Sequence, residues 1–443
     1  MGKDWQNKSA AALGRGVEAG EICPVALAET FLDAAAGHAL GNRIYARLTR
    51  DSALAQAASA RARAKAGQRL GPLDGVPVSW KDLFDTAGIA TEAGSAVLQG
   101  RTPDRDAEVV ANATAAGMIG LGKTHMSEFA YSGLGLNPVT ATPPCVNNPD
   151  AVPGGSSSGA AASVAFGLAP LAIGSDTGGS VRIPAAWNDL VGLKTTADRV
   201  SLRGVVPLAL RFDTIGPLAR TVEDAALALA ALEGRRAPDL RGASLDGVRF
   251  LVLDNVAFDD IRAAPLGGFD TAIARLEAAG ATVTRRAVAA VSEAMPLSAV
   301  IYTPECYGIW RDVIEPKADL MFPPILERFR SGMDHSATDY VAAWNRLDRL
   351  RAAYLADTAE YDAVVLPTAP NLPPDAGRLM SDHAYYGVEN LLTLRNTRIG
   401  NLMGLCVLTL PTGVPSTGIS LMCPPMAEAR LLRLGAAAEA ALR

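Results

Sequence analysis

Residues 154–185 read GGSSSGAAASVAFGLAPLAIGSDTGGSVRIPA. Two serine-rich glycine loops flank an alanine-rich segment and a short apolar stretch. AAASVAFGL (160–168) reads as a helix, LAIG (171–174) as a strand, and SVRIPAAW opens a further element. Ser156 lies in the first loop and Ser180 in the second. Upstream, GVPVSWKDLFDTAG (75–88) carries Lys81 where the short strand VPVSW runs into a loop. Two serines and a lysine can build a hydrolase that needs neither histidine nor metal.

The same alternation extends outward. PVALAETFLDAAA and the Ala/Arg-rich stretch SALAQAASARARAKAG read as helices. DAEVVANATAAG (106–117) is a helix closed by Gly117, and MIGLG (118–122) a buried strand. A helix over 220–232, the strand RFLVLDN (249–255), the helix FDTAIARLEAAG and the strand ATVTRR follow. VAAWNRLDRLRAAYLADTAE (341–360) is a long amphipathic helix, DAVVLP (362–367) and CVLTLP (406–411) are strands closed by proline, and MAEARLLRLGAAAEAAL is the last helix. Helices alternating with short apolar strands predict an α/β fold with a mixed, largely buried sheet covered on both faces. A chain of 443 residues with 49% hydrophobic residues could hold two or three domains. No repeat or low-complexity linker divides it, and RRAPDLRGASLDG (235–247) reads as a surface loop, so a single domain over 1–443 is expected.

Composition narrows the function classes. The formal net charge is −5, which provides no basic field for nucleic acid. Five scattered cysteines without a CxxC point to reduced thiols rather than a disulfide or zinc framework. No signal peptide, lipidation pattern or membrane-length apolar run is present, so a cytoplasmic protein off the membrane is expected. The four histidines, His38, His125, His335 and His383, lie far apart, which argues against a zinc site and against a Ser-His-Asp triad. Neither a metal nor a cofactor is expected.

Two short motifs compete for the site. GMIGLGKT (117–124) matches a P-loop, but a helix precedes Gly117 and the variable residues are strand-like, the reverse of what phosphate wrapping needs. Gly155-Ser156-Ser157-Ser158-Gly159 matches a nucleophile elbow, yet the preceding VNNPDAVPG is polar and broken by proline.

Taken together, Lys81, Ser156 and Ser180 resemble the triad of the amidase signature family. The block at 154–185 fits that family's G-G-S-S-[GS]-G and D-x-G-x-S-V-R-x-P patterns. LGKTHMSEFA, FDTIGPLARTVEDA, DAVVLPTAP and NLMGLCVLTLPTG follow in the family's order. The resemblance is close over residues 70–225, the signature core, and loose over 360–425, within the C-terminal part of the core (360–443); residues 235–350 would be a more variable, substrate-side or lid region. It implies that Ser180 is the nucleophile, that Ser156 follows a cis peptide from Gly155 and bridges to Lys81, and that Lys81 is the base. Thr177, Gly178, Gly179 and Ser180 would form the oxyanion hole, with Ser157, Asp176 and Arg182 supporting it. For Arg182, contact with a substrate anion and a purely structural ion pair are both open.

The chemistry makes a demand of Lys81. With an ordinary pKa near 10.4, about one lysine in 2,500 is neutral at pH 7. A general base must be neutral, so Lys81 has to be buried, and Asp82 and Asp85 have to face elsewhere. His125, the Asn188-Asp189 pair, Thr195 and Cys406 depart from the family pattern and bear on pocket shape rather than on the reaction.

Met126, Phe129, Tyr131, Leu134 and Gly155 are candidate pocket residues, and Tyr302–Trp310 and Met321–Phe329 candidate lid segments. Each apolar residue among them could equally be core. Together they suggest a small amide with an apolar or aromatic acyl or amine group, and carbamates and aryl esters share the same carbonyl geometry. Alternatives within the family are the glutaminase subunit of a tRNA-dependent amidotransferase, for which the chain is short, and an allophanate or carboxybiuret hydrolase. A homodimer is left open.

Overall fold

A computed structural model describes residues 4–443. Eleven strands form one sheet: β1 (Tyr45–Leu48), β2 (Pro77–Lys81), β3 (Ile119–Thr124), β4 (Leu171–Asp176), β5 (Val191–Lys194), β6 (Thr214–Ala219), β7 (Arg249–Leu253), β8 (Thr282–Arg286), β9 (Ala363–Pro367), β10 (Cys406–Pro411) and β11 (Gly418–Cys423). Their spatial order is β1-β3-β2-β4-β6-β5-β10-β11-β9-β7-β8. β2 pairs in parallel with β3 and β4, β7 in parallel with β8 and β9, and the remaining pairings are antiparallel. Sixteen α-helices among the described residues pack around the sheet in a single domain, so the expected mixed α/β architecture is present.

Burial explains the strand sequences. Every residue of β2, β4, β5, β6, β9 and β11 is buried, so these strands need apolar or small side chains on both faces. At one end of the sheet β8 exposes charged residues of TVTRR, which discourages pairing with another chain's strand.

Four strands were not legible. β1 is short, β5 and β6 carry Gly192, Gly216 and Pro217, and β11 follows β10 so closely that the two read as one apolar region. The helix His383–Leu402 was missed for another reason. Its buried face includes Asn390, Thr393, Asn396, Thr397 and Asn401, so it lacks an apolar stripe at helical spacing. The segments read as apolar inserts are the helices Leu297–Ile314 and Pro323–Arg330.

The topology positions the site. β2 and β4 are parallel neighbours in register at Ser79↔Ala172 and Trp80↔Ile173. Lys81 and Ser175–Asp176 therefore lie side by side at the carboxyl edge of adjacent strands, where open α/β sheets place their ligands. The first serine loop enters the helix Ser158–Ala165, which leads into β4, and the second loop leaves β4 for the helix Arg182–Trp187.

Candidate active site

Lys81 ends β2 and has no solvent exposure. Its Nζ donates to Ser156 Oγ at 2.6 Å and to Ser175 Oγ at 2.8 Å. Burial lowers its pKa to about 7, against the opposing pull of Asp213 and Asp176. The nearest carboxylates in sequence are turned away. Asp82 pairs with Arg47 at 2.7 Å and lies 3.7 Å from Lys123, while Asp85 accepts two hydrogen bonds from Arg101 at 2.6 and 2.8 Å.

Ser156 is buried and follows a cis peptide from Gly155. Ser157 anchors its loop to the strand: its Oγ accepts from Ser175 N at 3.2 Å and donates to Ser175 O at 3.1 Å, and its N–H donates to Ser180 O at 3.2 Å. The two serine loops are thus stitched through their backbones. No hydrogen bond joins the Ser156 and Ser180 hydroxyls among the described residues.

Ser180 lines a pocket of about 400 Å³ together with Thr177 and Gly178. Asp176 shapes this loop from beneath. Its carboxylate accepts from Gly179 N (3.0 Å), Val181 N (3.2 Å), Arg182 Nε (2.9 Å) and Nη2 (2.8 Å), and Asn401 Nδ2 (3.0 Å). Burial opposes ionisation, but Arg182 overrides it and holds the Asp176 carboxyl well below the usual carboxylate range. The Gly179 amide is therefore spent on Asp176, which removes it from the four-amide hole expected from the sequence. The amides of Thr177, Gly178 and Ser180 meet no protein acceptor among the described residues. Gly179 has φ +140°, and a Cβ there would lie 2.1 Å from Thr397 Oγ1, which itself donates to Gly178 O at 2.7 Å. Only glycine fits between that helix and the loop.

The structure resolves the choice left open for Arg182 and corrects several of the candidate pocket residues. Arg182 does not reach the pocket: buried, it serves Asp176, Thr397 O and Asn401 Oδ1, a structural role. Met126 is fully buried away from the pocket wall. Phe129 packs between Trp310 (4.7 Å) and Phe329 (5.8 Å) as core. Leu134 is likewise core, and Gly155 is held against Gly133 O at 2.9 Å behind the pocket. Of the candidate pocket residues only Tyr131 lines it. Tyr302, Thr303, Pro324 and Arg328 also line it, so both candidate lid segments contribute wall. The P-loop match is a buried strand: Lys123 donates to Phe84 O and to Thr91 Oγ1 and has no open space for phosphate.

Three contributors, Ser175, Asp213 and Arg398, were not legible in sequence, and Tyr302, the first residue of a candidate lid segment, makes a contact the sequence does not show. Ser175 is the second partner of Lys81. Asp213 accepts from Thr177 Oγ1 at 2.5 Å and from Leu208 N and Ala209 N, and burial raises it to about 6. Tyr302 OH donates to Thr177 O at 3.0 Å, with its ring stacked on Phe212 at 4.1 Å. Arg398 borders the pocket from the helix His383–Leu402. The motif FDTIGP does signal Asp213, but nothing local shows that it faces Lys81.

No group of three or more potential metal ligands occurs among the described residues, and none of their helices is long and apolar enough to cross a membrane.

The Amidase family model matches residues 26–432. The chain is 37% identical to 2-amino-5-chloromuconic acid deaminase of Comamonas testosteroni, over 95% of this chain and 93% of that protein. It is 32% identical to a glutamyl-tRNA(Gln) amidotransferase subunit of Thermobifida fusca, over 98% and 96%. Its fold superposes on the peptide amidase of Stenotrophomonas maltophilia with a TM-score of 0.83 at 27% identity, covering 99% and 97%. The buried lysine, the paired serine loops and the match along nearly the whole chain lead to one conclusion: this protein belongs to the amidase family, the amidase signature hydrolases of C–N bonds.

Proposed function

We propose that this chain hydrolyses small-molecule amides through an acyl-enzyme on Ser180, with Ser156 and Lys81 as the proton relay. The observation that carries this reading is Lys81: a buried amine with a pKa near 7, 2.6 Å from Ser156 and beside a pocket floored by Ser180. About half of such lysines are neutral at pH 7, against one in 2,500 at the ordinary pKa.

Ser180 Oγ forms a bond to the amide carbon as its proton passes through the Ser156 hydroxyl to neutral Lys81. The carbonyl π electrons move to oxygen, where the free amides of the 177–180 loop can hold the charge; one such donor is typically worth ~10²–10³ in rate. Collapse breaks the C–N bond, and the proton returns through Ser156 to the departing nitrogen. Water then cleaves the Ser180 ester and releases the acid. Substrate has to draw the two serine hydroxyls together, since catalytic hydrogen bonds often tighten only in the complex. The relative from C. testosteroni is a deaminase by name, which supports a small nitrogen leaving group. Carbamates and aryl esters present the same carbonyl to Ser180 and belong in the same assay.

Ser180→Ala should abolish turnover and labelling by a sulfonyl fluoride, and Lys81→Ala should lower the rate by about 10²–10⁴-fold. Turnover retained in Ser180→Ala overturns the assignment. Full-length similarity to a component of an amidotransferase favours one second reading, a glutaminase. Glutamine hydrolysis appearing only when the cognate partner chains are added would decide for it. The free cysteines, four of them buried, support a reducing, cytoplasmic setting.

A further inference from the structure

Two guanidinium groups line the pocket. Arg328, on the helix Pro323–Arg330, and Arg398, on the helix His383–Leu402, both line the cavity that Ser180 opens into. Both are half-buried. Neither has a carboxylate within ion-pair distance among the described residues. Arg328 gives one hydrogen bond, to Tyr131 O at 3.0 Å, and lies 4.4 Å over the Tyr131 ring. Arg398 gives one, to Ser298 Oγ at 3.3 Å.

Arg182 differs from both. That guanidinium, immediately behind the same loop, is matched by the Asp176 carboxylate and two further oxygens. A guanidinium has five N–H donors, and removing it from water is costly unless an anion compensates. Arg328 and Arg398 also repel each other: burial first, then the nearby Arg328 charge, lowers Arg398 to about 10. Two desolvated cations side by side, each with unused donors, create a positive field in the pocket. The one carboxylate on its wall, Glu327, is exposed and pairs with neither. A neutral apolar substrate would leave this arrangement uncompensated, whereas a carboxylate matches the planar fork of either arginine.

We propose that Arg328 and Arg398 form a carboxylate subsite, so that the preferred substrate is an amide whose acyl or amine portion bears a carboxylate. The inference rests on the amidase reading of the pocket and adds the substrate class. The two arginines are binding residues that orient the substrate, with the amide carbonyl at Ser180 and the acid at the opposite wall. The helices that carry them lie outside the two serine loops, so one catalytic floor is combined with a wall that selects charge.

The test compares monoamides of C4 to C6 dicarboxylic acids with the corresponding diamides, in which a neutral amide replaces the carboxylate at nearly the same size. The wild-type protein is expected to favour an acid amide by at least about tenfold in kcat/KM for one chain length. That ratio should fall about tenfold or more, mainly through KM, in Arg328→Gln and in Arg398→Gln, and recover in part in Arg398→Lys, which keeps the charge without the fork. A ratio at or below one for every length, or one unchanged in both Gln variants, overturns the subsite. In parallel, calorimetry measures binding of succinate, glutarate and adipate to the Ser180→Ala protein. Binding there that is lost in the Ser180→Ala/Arg328→Gln and Ser180→Ala/Arg398→Gln proteins supports the subsite even if no amide is turned over, an outcome that would refute the amidase reading alone. Absence of binding together with absence of turnover overturns the subsite as well. Circular dichroism confirms that each variant is folded.

Discussion

The pKa of a single buried amine sets the pH response of the site. If Lys81 must be neutral, kcat/KM should rise with pH and level off above an acid limb near 7. Burial lowers the Lys81 pKa and the Asp213 charge opposes that, so the position of the limb depends on Asp213. Asp213→Asn removes the negative charge but can still accept from Leu208 N and Ala209 N. The acid limb of that variant should therefore shift to lower pH, measured as the pH profile of kcat/KM on one amide; a limb that stays put or moves up refutes the role given to Asp213. Lys81, Ser156 and Ser180 could be picked out from local motifs because glycine and serine spacing is a local property. Ser175 was hidden inside an apolar strand, and Asp213 becomes relevant only through the pull of its charge on Lys81, which lies far away in the chain. Met126 and Phe129 were misplaced because an apolar side chain beside a motif reads the same whether it faces the core or a cavity.

Among the elements, β6 shows how strand contacts constrain sequence. A Cβ added to Gly216 would lie 1.8 Å from the backbone oxygen of Leu193 on β5. Both strands are fully buried at the centre of the sheet, so neither backbone can retreat without breaking the ladder. Gly216→Ala should cost about 4 kcal/mol or more, read as a large fall in Tm or loss of soluble protein. Gly308→Ala is the matching control. Gly308 lies within the helix Leu297–Ile314 with nothing within 4 Å of the added methyl, so this variant should gain about 0.5–1 kcal/mol. Equal Tm values for the two variants would refute the packing argument. Strands such as DAVVLP and helices such as Ala337–Asp357 were legible because burial and amphipathic spacing marked them. The helix His383–Leu402 was not, because it turns amides and hydroxyls inward to clamp loops rather than to fill a core.

For the molecule as a whole, several carboxyls are folded into places that disfavour their charge. Burial raises Glu128 to about 7 and Asp213 and Asp224 to about 6. Below the unfolded carboxyl pKa of about 4 both states hold these protons, so there is no effect on stability. Between about 4 and 6–7 the unfolded chain releases them and the folded protein keeps them, so stability falls as pH rises. His125 acts oppositely, since burial lowers it to about 4 and the unfolded chain then holds the extra proton between about 4 and 6.5. Three carboxyls against one histidine leave a net decline, expected as a lower Tm at pH 7 than at pH 5; a higher Tm at pH 7 contradicts it. The amino-acid sequence by itself determined the α/β class, the family and the three residues of the proposed triad, because glycine turns, alternating helix and strand patterns and motif spacing act over short stretches of chain. Tertiary structure decided which amides of the 177–180 loop lack a protein acceptor, which carboxylates act on Lys81, which pocket arginines lack a carboxylate and which apolar residues are wall rather than core. Those properties depend on desolvation and through-space charge between segments far apart in the chain, which no local pattern of residues encodes.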